Sequence, residues 1–364
     1  MARPAKAVIN LAAIRHNYRL AKELAPHSRA LAVVKGNGYG HGAVEVAQTL
    51  APQADAFAVA CIEEAEQLRA AGIDHRLVLL EGIFDPSELP KVDQLGLDLV
   101  IHSDYQIDAL LDYTPRHPLN LWLKMDSGMH RLGFSPDAFL EAYKRLHGAS
   151  QAGEITLMSH FARADELDQP RTREQLELFL RFSRALDLPI SLSNSPAVLA
   201  WPETHQQWVR PGMMLYGASP LDRATATSAQ LEPAMTLSSA IIAVQHLKAG
   251  DSIGYGNRYS CTRPTRVGVV AMGYADGFPR HAPNGLPVLI GEHDKSSLIG
   301  RVSMDMLTVD ITDIDDADVG TEVTFWGRGL PIELIAEQCG TIPYELVTNL
   351  TPRIPRLYVD CSNC

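Results

Sequence analysis

Eight short runs rich in valine, isoleucine and leucine recur along the first two thirds of the chain, and they constrain its fold more than any other feature. The runs cover residues 31–34, 56–60, 77–80, 97–101, 119–123, 155–158, 190–192 and 208–209. Helix-like segments lie between them, such as 63–72, which ends at a glycine, and 173–182, whose apolar residues recur at helical spacing. Strand followed by helix, repeated about eight times, predicts an α/β fold with a (β/α)8 TIM-like barrel. A doubly wound open sheet is the alternative, because periodicity alone does not exclude it.

The pattern changes near residue 234, where β-rich runs follow one another with glycine, proline, asparagine and aspartate turns between them. These runs cover residues 267–272, 287–290, 307–311 and 322–325. We therefore predict two domains, a barrel over residues 1–233 and a mostly β domain over residues 234–364. No long glycine- or serine-rich linker separates them in the sequence, so we expect the two domains to pack together.

Composition narrows the class of protein. Of the 364 residues, 46% are apolar and 21% are charged, and no apolar run approaches the roughly 20 residues that a bilayer needs. A net charge of -11 argues against binding to nucleic acid or to an anionic membrane. An odd number of cysteines and a first segment without the apolar stretch of a signal peptide predict a cytoplasmic protein. Cys361 and Cys364 have the spacing of a metal pair, but a single pair predicts a loose tail, and we expect no metal site.

Polar residues follow the predicted barrel strands at the point where each strand ends. They are Lys35, Glu63, Glu81, His102, Lys124 with Asp126, His160, Asn194 with Ser195, and Arg210. The carboxyl ends of barrel strands meet at one mouth, which is where barrel enzymes hold their active sites. These residues are therefore candidates for one shared site, although Asn194 and Ser195 before Pro196 equally predict a helix N-cap.

Lys35 is the strongest candidate in this set. It follows an apolar run and opens a segment with four glycines in eight residues, 35–42. The apolar strand would keep the amine poorly solvated and nucleophilic, as a Schiff-base lysine requires, and the glycines would let the backbone approach a ligand closely. A strand-to-helix turn with a lysine that reaches out to solvent explains the same segment.

Other segments with reactive side chains each have a structural alternative. His160 and Tyr255 could supply acid–base groups, although most histidines and tyrosines are structural. The 124–133 segment has two cations and a carboxylate around a glycine turn, which is also typical of a salt-bridged loop. Arg210 stands at the end of the last predicted strand, where barrels often bind phosphate, or it caps that end. Walker-type phosphate loops and zincin motifs are absent from the sequence.

Nine motifs taken together occur in the order found in the alanine racemases, which are pyridoxal 5'-phosphate (PLP) enzymes of fold type III. They lie at residues 33–42, 123–133, 159–162, 194–195, 210–217, 254–256, 268–277, 300–306 and 342–344. Any one motif is weak, but nine in the same order along essentially the whole chain are specific. The chain therefore resembles the alanine racemases, whose members interconvert L- and D-alanine and have an N-terminal barrel and a C-terminal β domain.

The resemblance implies a two-base mechanism in a homodimer. Lys35 would hold the cofactor as a Schiff base and act as one base, and Tyr255 from the partner subunit would act as the other. Racemisation removes the α-proton from one face and returns one to the other, so acid and base should flank the cofactor ring. Arg210 and His160 would stabilise the tyrosine phenolate. Arg210 would also bond the pyridine nitrogen and weaken the ring as an electron sink, which should suppress transamination.

The resemblance also implies the remaining site residues. Cofactor contacts would come from hydroxyl, amide and backbone N–H groups, those of Tyr39, Asn194, Ser195, Gly212, Met213 and Tyr344. Arg131 would meet the substrate carboxylate, and Met304 and Asp305 of the partner subunit would line the substrate entrance. Lys124 matches a position that is carbamylated in many family members, and the resulting anion would orient Arg131.

One departure from the family pattern concerns substrate breadth. Gly36 and Gly38 replace two alanines that are common in the first motif, and the loss of two methyl groups would loosen the loop by about 0.5–1 kcal/mol each or widen the pocket. Serine or another small amino acid would then be accepted beside alanine. We expect a role in D-alanine biosynthesis, with alanine catabolism as the alternative. A PLP-dependent decarboxylase, a single-barrel PLP carrier and an inactive homologue are the rival interpretations.

Overall fold

A computed structural model describes residues 3–361 of the chain. The described part starts with β1 (Lys6–Asn10) and α1 (Leu11–Leu24). Asn10 caps this helix, because its side-chain oxygen accepts hydrogen bonds from Ala12 N at 3.0 Å and from Ala13 N at 3.3 Å. The helix is therefore fixed directly at the end of the strand, without a connecting loop.

Eight parallel strands close into a barrel, which confirms the predicted fold class and excludes the open sheet. They are β2 (Arg29–Val33), β3 (Ala56–Val59), β4 (Leu77–Leu79), β5 (Leu97–Ile101), β6 (Leu119–Lys124), β7 (Ala152–Met158), β8 (Ile190–Ser191) and β9 (Trp208–Val209). Each strand pairs with the next one along the chain, and β9 closes on β2 through the pairs Arg29–Trp208 and Ala30–Val209. Each of the eight predicted runs lies on one of these strands.

Helices alternate with the barrel strands. They are α2 (Lys35–Tyr39), α3 (Ala43–Leu50), α4 (Ile62–Ala70), α5 (Leu89–Leu95), α6 (Asp104–Asp112), α7 (Pro136–Leu146), α8 (Arg171–Ser183) and α9 (Ser195–Ala200). Two of these helices, α7 and α9, have a side-chain cap at their start. For example, α7 has proline at its first position, and Ser135 Oγ accepts from Ala138 N at 3.4 Å.

The barrel interior is filled by side chains, so the barrel has no open channel of its own. Leu31, Val78, Val100 and Trp122 from four different strands belong to one buried cluster there. Open space is therefore left at the mouth, where the strands end and the loops begin.

The second domain has a large, mostly antiparallel sheet and a separate sheet of two strands. Its strands are β10 (Met235–Leu247), β11 (Ser252–Ile253), β12 (Tyr259–Ser260), β13 (Thr265–Val270), β14 (Pro287–Ile290), β15 (Asp294–Ser297), β16 (Leu307–Asp310), β17 (Glu322–Trp326) and β18 (Arg356–Val359), with α10 (Ile332–Gln338) and α11 (Pro343–Thr348) after β17. Strands β11 and β12 form the small sheet, and the first strand of the chain joins the large one, because β1 pairs antiparallel with β10 and parallel with β18. The chain therefore starts in the sheet of the second domain before it enters the barrel, which the sequence analysis did not foresee.

The helix α11 packs against α2, which brings the second domain to the mouth of the barrel. Within residues 3–361, no helix is both long and apolar enough to cross a bilayer. Of the C-terminal cysteine pair, Cys364 lies outside the described residues.

Candidate active site

A cavity of about 770 Å³ opens at the mouth of the barrel, where the carboxyl ends of the strands meet. Its polar side chains come from the strand ends and from α11, and they are Lys35, Tyr39, Glu64, Glu81, Lys124, Arg131, His160, Asn194, Ser195, Arg210 and Tyr344. Gly36, Gly212, Met213 and Thr348 also line the cavity. Every barrel residue that the sequence analysis assigned to cofactor, substrate or modification therefore lies around this one space.

Lys35 leaves the end of β2 and begins a turn with left-handed backbone. The φ angles of residues 36–39 are 62°, 53°, 60° and 51°. Such a conformation costs about 1–2 kcal/mol for each residue that carries a Cβ atom, and two of these four residues are glycines. Asn37 holds the far end of the turn, because its side-chain oxygen accepts a hydrogen bond from Ala43 N at 3.0 Å. The backbone beside Lys35 is thus fixed in one sharp conformation.

Arg210 is almost fully buried and contacts His160. Its guanidinium donates to Ser191 Oγ at 2.6 Å, to the carbonyls of Ser159 and Leu192 at 2.7 and 3.0 Å, and to His160 Nδ1 at 3.3 Å. Burial lowers the pKa of Arg210 to about 10, which leaves the group charged at neutral pH. Burial and then the nearby cations, Arg210 first, hold the pKa of His160 well below its usual range. The pair is therefore a charged donor beside a neutral imidazole.

Hydroxyl and amide groups gather around Gly212. Ser195 Oγ accepts hydrogen bonds from Gly212 N at 2.8 Å and from Met214 N at 3.3 Å. A hydroxyl has two acceptor positions and one donor, so these two bonds leave the Ser195 O–H to donate to something else. A Cβ atom at position 212 would lie 2.7 Å from Tyr39 Oη, so glycine keeps this space open.

Two tyrosines face the same part of the cavity from different domains. Tyr39 follows β2 and Tyr344 lies on α11, and their ring centroids are 5.9 Å apart. Burial, with a smaller contribution from the charge of Glu64, raises the pKa of Tyr39 to about 12. Burial also raises the pKa of Tyr344. Both phenols therefore stay protonated at neutral pH and can donate hydrogen bonds to an anion.

Lys124 ends β6 and is only 7% exposed. Burial first, and then the charges of Arg210, Arg131 and Lys35, lower the pKa of this amine to about 8. A substantial fraction of Lys124 is therefore uncharged slightly above neutral pH, in contrast to an ordinary lysine.

Asp126 organises the loop between Lys124 and Arg131. Its carboxylate accepts hydrogen bonds from the backbone N–H groups of residues 128, 129 and 130 at 2.9, 3.0 and 3.0 Å, and from His130 Nδ1 at 2.9 Å. This is the structural role that the sequence analysis gave as the alternative for the segment. The loop is what places Arg131 at the rim of the cavity.

Comparison with known proteins decides the family. A family model of the alanine racemase N-terminal domain matches residues 9–220, and one of the alanine racemase C-terminal domain matches residues 234–358. The chain belongs to the alanine racemase family. It is therefore an enzyme of the isomerase class, in a family that depends on PLP. The match of both domains favours the racemase interpretation over the single-barrel carrier.

Individual members of the family are similar along the whole chain. The alanine racemase of Chromohalobacter salexigens is 54% identical over 359 residues, which cover 98% of each chain. The catabolic alanine racemase of Pseudomonas aeruginosa is 53% identical over 98% of this chain and 99% of its own. The crystal structure of the biosynthetic alanine racemase of Pseudomonas aeruginosa superimposes with a TM-score of 0.94 at 50% identity, over 98% and 99% of the two chains. That of Bartonella henselae alanine racemase, with covalently bound pyridoxal phosphate, has a TM-score of 0.90 at 28% identity, over 99% and 100%.

The residues that the family resemblance assigns to the partner subunit lie in the second domain and face outwards. Tyr255 is 68% exposed and Met304 is 53% exposed. Asp305 is held by ion pairing with Arg353 at 2.7 Å, and its carbonyl accepts from Arg3 at 2.7 Å. Among the described residues that line the cavity of this chain, none of these three is present. A single chain of this alanine racemase family member thus carries two separate sets of candidate residues.

One candidate in the sequence analysis was displaced by one position. We singled out Glu63 after the β3 strand, but the structure leaves Glu63 exposed and points Glu64 to the cavity instead. The helix α4 starts at Ile62, and only its third residue turns back towards the strand ends. Hydrophobic patterning could not predict which glutamate faces the cavity, because Glu63 and Glu64 are adjacent in α4 and have the same helix propensity.

Proposed function

We propose that this chain interconverts L- and D-alanine with PLP as cofactor and that Lys35 and Tyr255 of the partner subunit are the two bases. The observation that carries the proposal is the joint placement of Lys35 and the Arg210–His160 pair around one cavity in a member of this family. A nucleophilic amine, a charged donor and a hydroxyl cradle in one concave site are the groups that PLP chemistry requires.

The chain's residues fit the PLP phosphate. The Ser195 O–H, the phenols of Tyr39 and Tyr344 and the N–H of Met213 are donors around the space that Gly212 leaves open. Several neutral donors with backbone amides suit a dianion, because they give many hydrogen bonds without requiring a fixed number of cations. In the structure, Gly212 N–H donates to Ser195 Oγ, so it supports the cradle through this hydroxyl.

Arg210 would face the pyridine nitrogen. When bound, PLP supplies an electron sink that stabilises negative charge at the substrate α-carbon. Arg210 stays charged at neutral pH and does not readily give up a proton, so it would donate a hydrogen bond to the ring nitrogen and leave that nitrogen unprotonated. A weaker sink favours return of the proton to the α-carbon over transamination. Asn194 and His160 would hold the same side of the site, since Asn194 Nδ2 lies 3.3 Å from His160 Nε2.

The two bases would come from two subunits. Lys35 would accept the α-proton on one face of the substrate, and the Tyr255 hydroxyl of the partner would serve the other face. The exposure of Tyr255, Met304 and Met306 in one chain supports burial against a second copy, because large apolar side chains on a surface mark interfaces. Arg131 would bind the substrate carboxylate, with Met304 and Asp305 of the partner at the entrance. Light scattering should give the mass of a dimer.

Lys124 supports a first prediction, which concerns pH. Its pKa is about 8 in the folded chain but has its ordinary value near 10.5 when unfolded, so unfolding takes up a proton between these pH values. The free energy of unfolding should therefore rise with pH across this window, and the penalty is full below about pH 8. In carbonate-free buffer, Lys124→Met should stabilise the protein by about 2 kcal/mol near neutral pH and by much less near pH 10.

The control for this prediction is Lys144→Met, which removes an exposed amine paired with Glu141 on α7. Urea denaturation at several pH values should show no pH-dependent increase in the free energy of unfolding for this control. If Lys124→Met increased the free energy of unfolding equally at all pH values, the lowered pKa of Lys124 would be contradicted. The uncharged amine is the form that adds carbon dioxide. Mass spectrometry of the wild type and of the Lys124→Met variant, both in bicarbonate, therefore tests the proposed carbamylation.

A second prediction concerns substrate breadth. Gly36 lines the cavity, and a Cβ atom there would lie 3.9 Å from the Thr348 side chain. Gly36→Ala should therefore fold with a cost of about 1 kcal/mol and should lower kcat/KM for serine relative to alanine by about threefold or more. Gly38→Ala is the matched control, because its Cβ would lie 3.2 Å from Ala43 N, away from the cavity. Gly38→Ala should lose more stability without a change in the ratio of kcat/KM for serine to kcat/KM for alanine. If Gly36→Ala also left this ratio unchanged, the proposal of a widened pocket would be contradicted.

The proposed activity is tested directly by ¹H NMR of L-alanine with the PLP-loaded protein in D2O, followed by chiral chromatography. Loss of the α-proton signal with drift towards a racemic mixture is the expected result. Retained configuration without exchange would overturn the proposal in favour of a decarboxylase or an inactive homologue.

The role in D-alanine biosynthesis, the cytoplasmic location and the domain limits 1–233 and 234–364 stay predictions.

A further inference from the structure

The side chain of Glu64 joins two strand ends at the mouth of the barrel. The last hydrogen bond between β2 and β3 runs from Val34 N to the carbonyl of Ala58 at 2.9 Å. Beyond this bond the two segments of the chain separate, and the Glu64 carboxylate accepts hydrogen bonds from one amide of each segment. Oε1 accepts from Gly36 N at 2.6 Å, and Oε2 accepts from Ala60 N at 2.8 Å. One carboxylate oxygen thus serves each strand end.

Helix capping explains only half of this arrangement. Glu64 is the third residue of α4, a position from which a glutamate commonly reaches back to an amide before the helix, as it does to Ala60. The bond to Gly36 N lies outside the helix and spans 28 residues of sequence. A carboxylate that only capped α4 would not require the hydrogen bond from Gly36 N.

The amide that Glu64 holds belongs to the peptide unit that joins Lys35 to Gly36. This unit fixes the direction in which the Lys35 side chain leaves the backbone, and it is also the entry to the left-handed turn of residues 36–39. The turn is disfavoured at two of its positions, Asn37 and Tyr39, which carry side chains. It therefore needs an anchor at each end: Asn37 to Ala43 at one and Glu64 to Gly36 at the other.

We propose that Glu64 is a positioning residue for Lys35, which it orients by clamping the Gly36 amide to the end of β3. It acts through the backbone and not by proton transfer. The inference rests on the proposed function, since it concerns the efficiency with which Lys35 reacts with the PLP aldehyde. In that reaction the Lys35 nitrogen bonds to the aldehyde carbon, and the aldehyde oxygen leaves as water.

The test compares two ligands of the apo protein, PLP and pyridoxamine 5'-phosphate. Both carry the same phosphate and ring, but only PLP has the aldehyde that bonds to Lys35. Glu64→Ala should weaken PLP binding by about tenfold or more and pyridoxamine 5'-phosphate binding by about threefold or less, because a charge-assisted hydrogen bond at the Lys35 peptide is lost while the phosphate cradle is kept. Glu64→Gln can accept from only one of the two amides, so it should show a smaller loss in the same direction.

Glu63→Ala is the matched control. Glu63 is exposed in the same first turn of α4, so this change removes the same charge without contact to Gly36. It should leave both affinities unchanged, and thermal melts of the apo variants should separate helix stability from ligand binding. If Glu64→Ala does not fold, Glu64→Gln carries the comparison.

The outcomes separate the two proposals. Equal weakening of both ligands in the Glu64 variants, or no weakening of either, overturns the positioning role and leaves Glu64 as a helix cap. A wild-type protein that forms no borohydride-stable adduct at Lys35 with PLP overturns the proposed function itself. In the loaded enzyme, the positioning role predicts a lower kcat with little change in the KM for alanine.

Discussion

Lys35→Ala should lower the rate of alanine racemisation by about 10³-fold or more, because it removes both the point of cofactor attachment and one of the two bases. The structure gives a reason why the second lysine of the cavity should not replace it. Lys124 is the other lysine that lines the cavity, but it ends β6, on a different side of the barrel from β2. An amine on β6 leaves a different strand end and does not have the direction that the left-handed turn gives to Lys35.

Borohydride reduction followed by peptide mass spectrometry measures the first half of this effect. The wild type should carry reduced cofactor on Lys35, and the variant should carry none. Lys91→Ala is the control, because Lys91 lies on α5 and pairs with Glu66 outside the cavity. A Lys35→Ala variant with the same borohydride-stable adduct as the wild type, or with full racemisation, would refute the assignment.

The barrel was predictable from the sequence because its signal is local. Each strand is a short apolar run that ends in a polar residue, and the closed order β2 to β9 follows the order of these runs along the chain. The convergence of Lys35, His160 and Arg210 on one mouth follows from the fold alone, since the carboxyl ends of all eight strands meet there.

The features that the sequence did not predict depend on distant contacts. The strand β1 joins the second domain through pairs with β10 and β18, which lie more than two hundred residues away in the chain. Its alternation of buried and half-buried residues is typical of many strands and does not indicate which strand it pairs with. Likewise, the choice of Glu64 over Glu63 depends on the phase of α4 relative to Gly36.

The pKa changes in the site could not be predicted from the sequence either, because they too depend on contacts between distant parts of the chain. The sequence places Lys124 and His160 near other cations, but the size of a pKa change depends on how completely the folded chain removes water from each group. In the structure, burial is the largest cause for both residues, and the neighbouring cations come second. Burial of this kind is a property of the assembled mouth and has no signature in a short motif.

Tyr255→Phe should lower racemisation by about 10²-fold or more while leaving cofactor binding intact, because it removes one hydroxyl that is expected to move a proton on one face only. Exchange of the α-proton with D2O should persist from the enantiomer that presents its proton to Lys35 and should be lost from the other. Tyr259→Phe is the control, because Tyr259 begins β12 four residues further along the chain and has no part in the proposed chemistry. Equal loss of exchange from both enantiomers would contradict the two-base assignment.

Mixed dimers decide whether Tyr255 acts across the subunit boundary. Lys35→Ala and Tyr255→Phe should each lose nearly all racemisation alone. A dimer with one chain of each kind has one site with both changes and one with neither, provided that Tyr255 serves the partner. Random exchange of the two chains gives such dimers in about half of the population, so activity should recover to about a quarter of the wild-type value. If Tyr255 served its own chain, every site in the mixture would lack one base. No recovery after verified subunit exchange would therefore place both bases in one chain and would remove the requirement for a dimer, which the outward-facing Tyr255 and Met304 otherwise support.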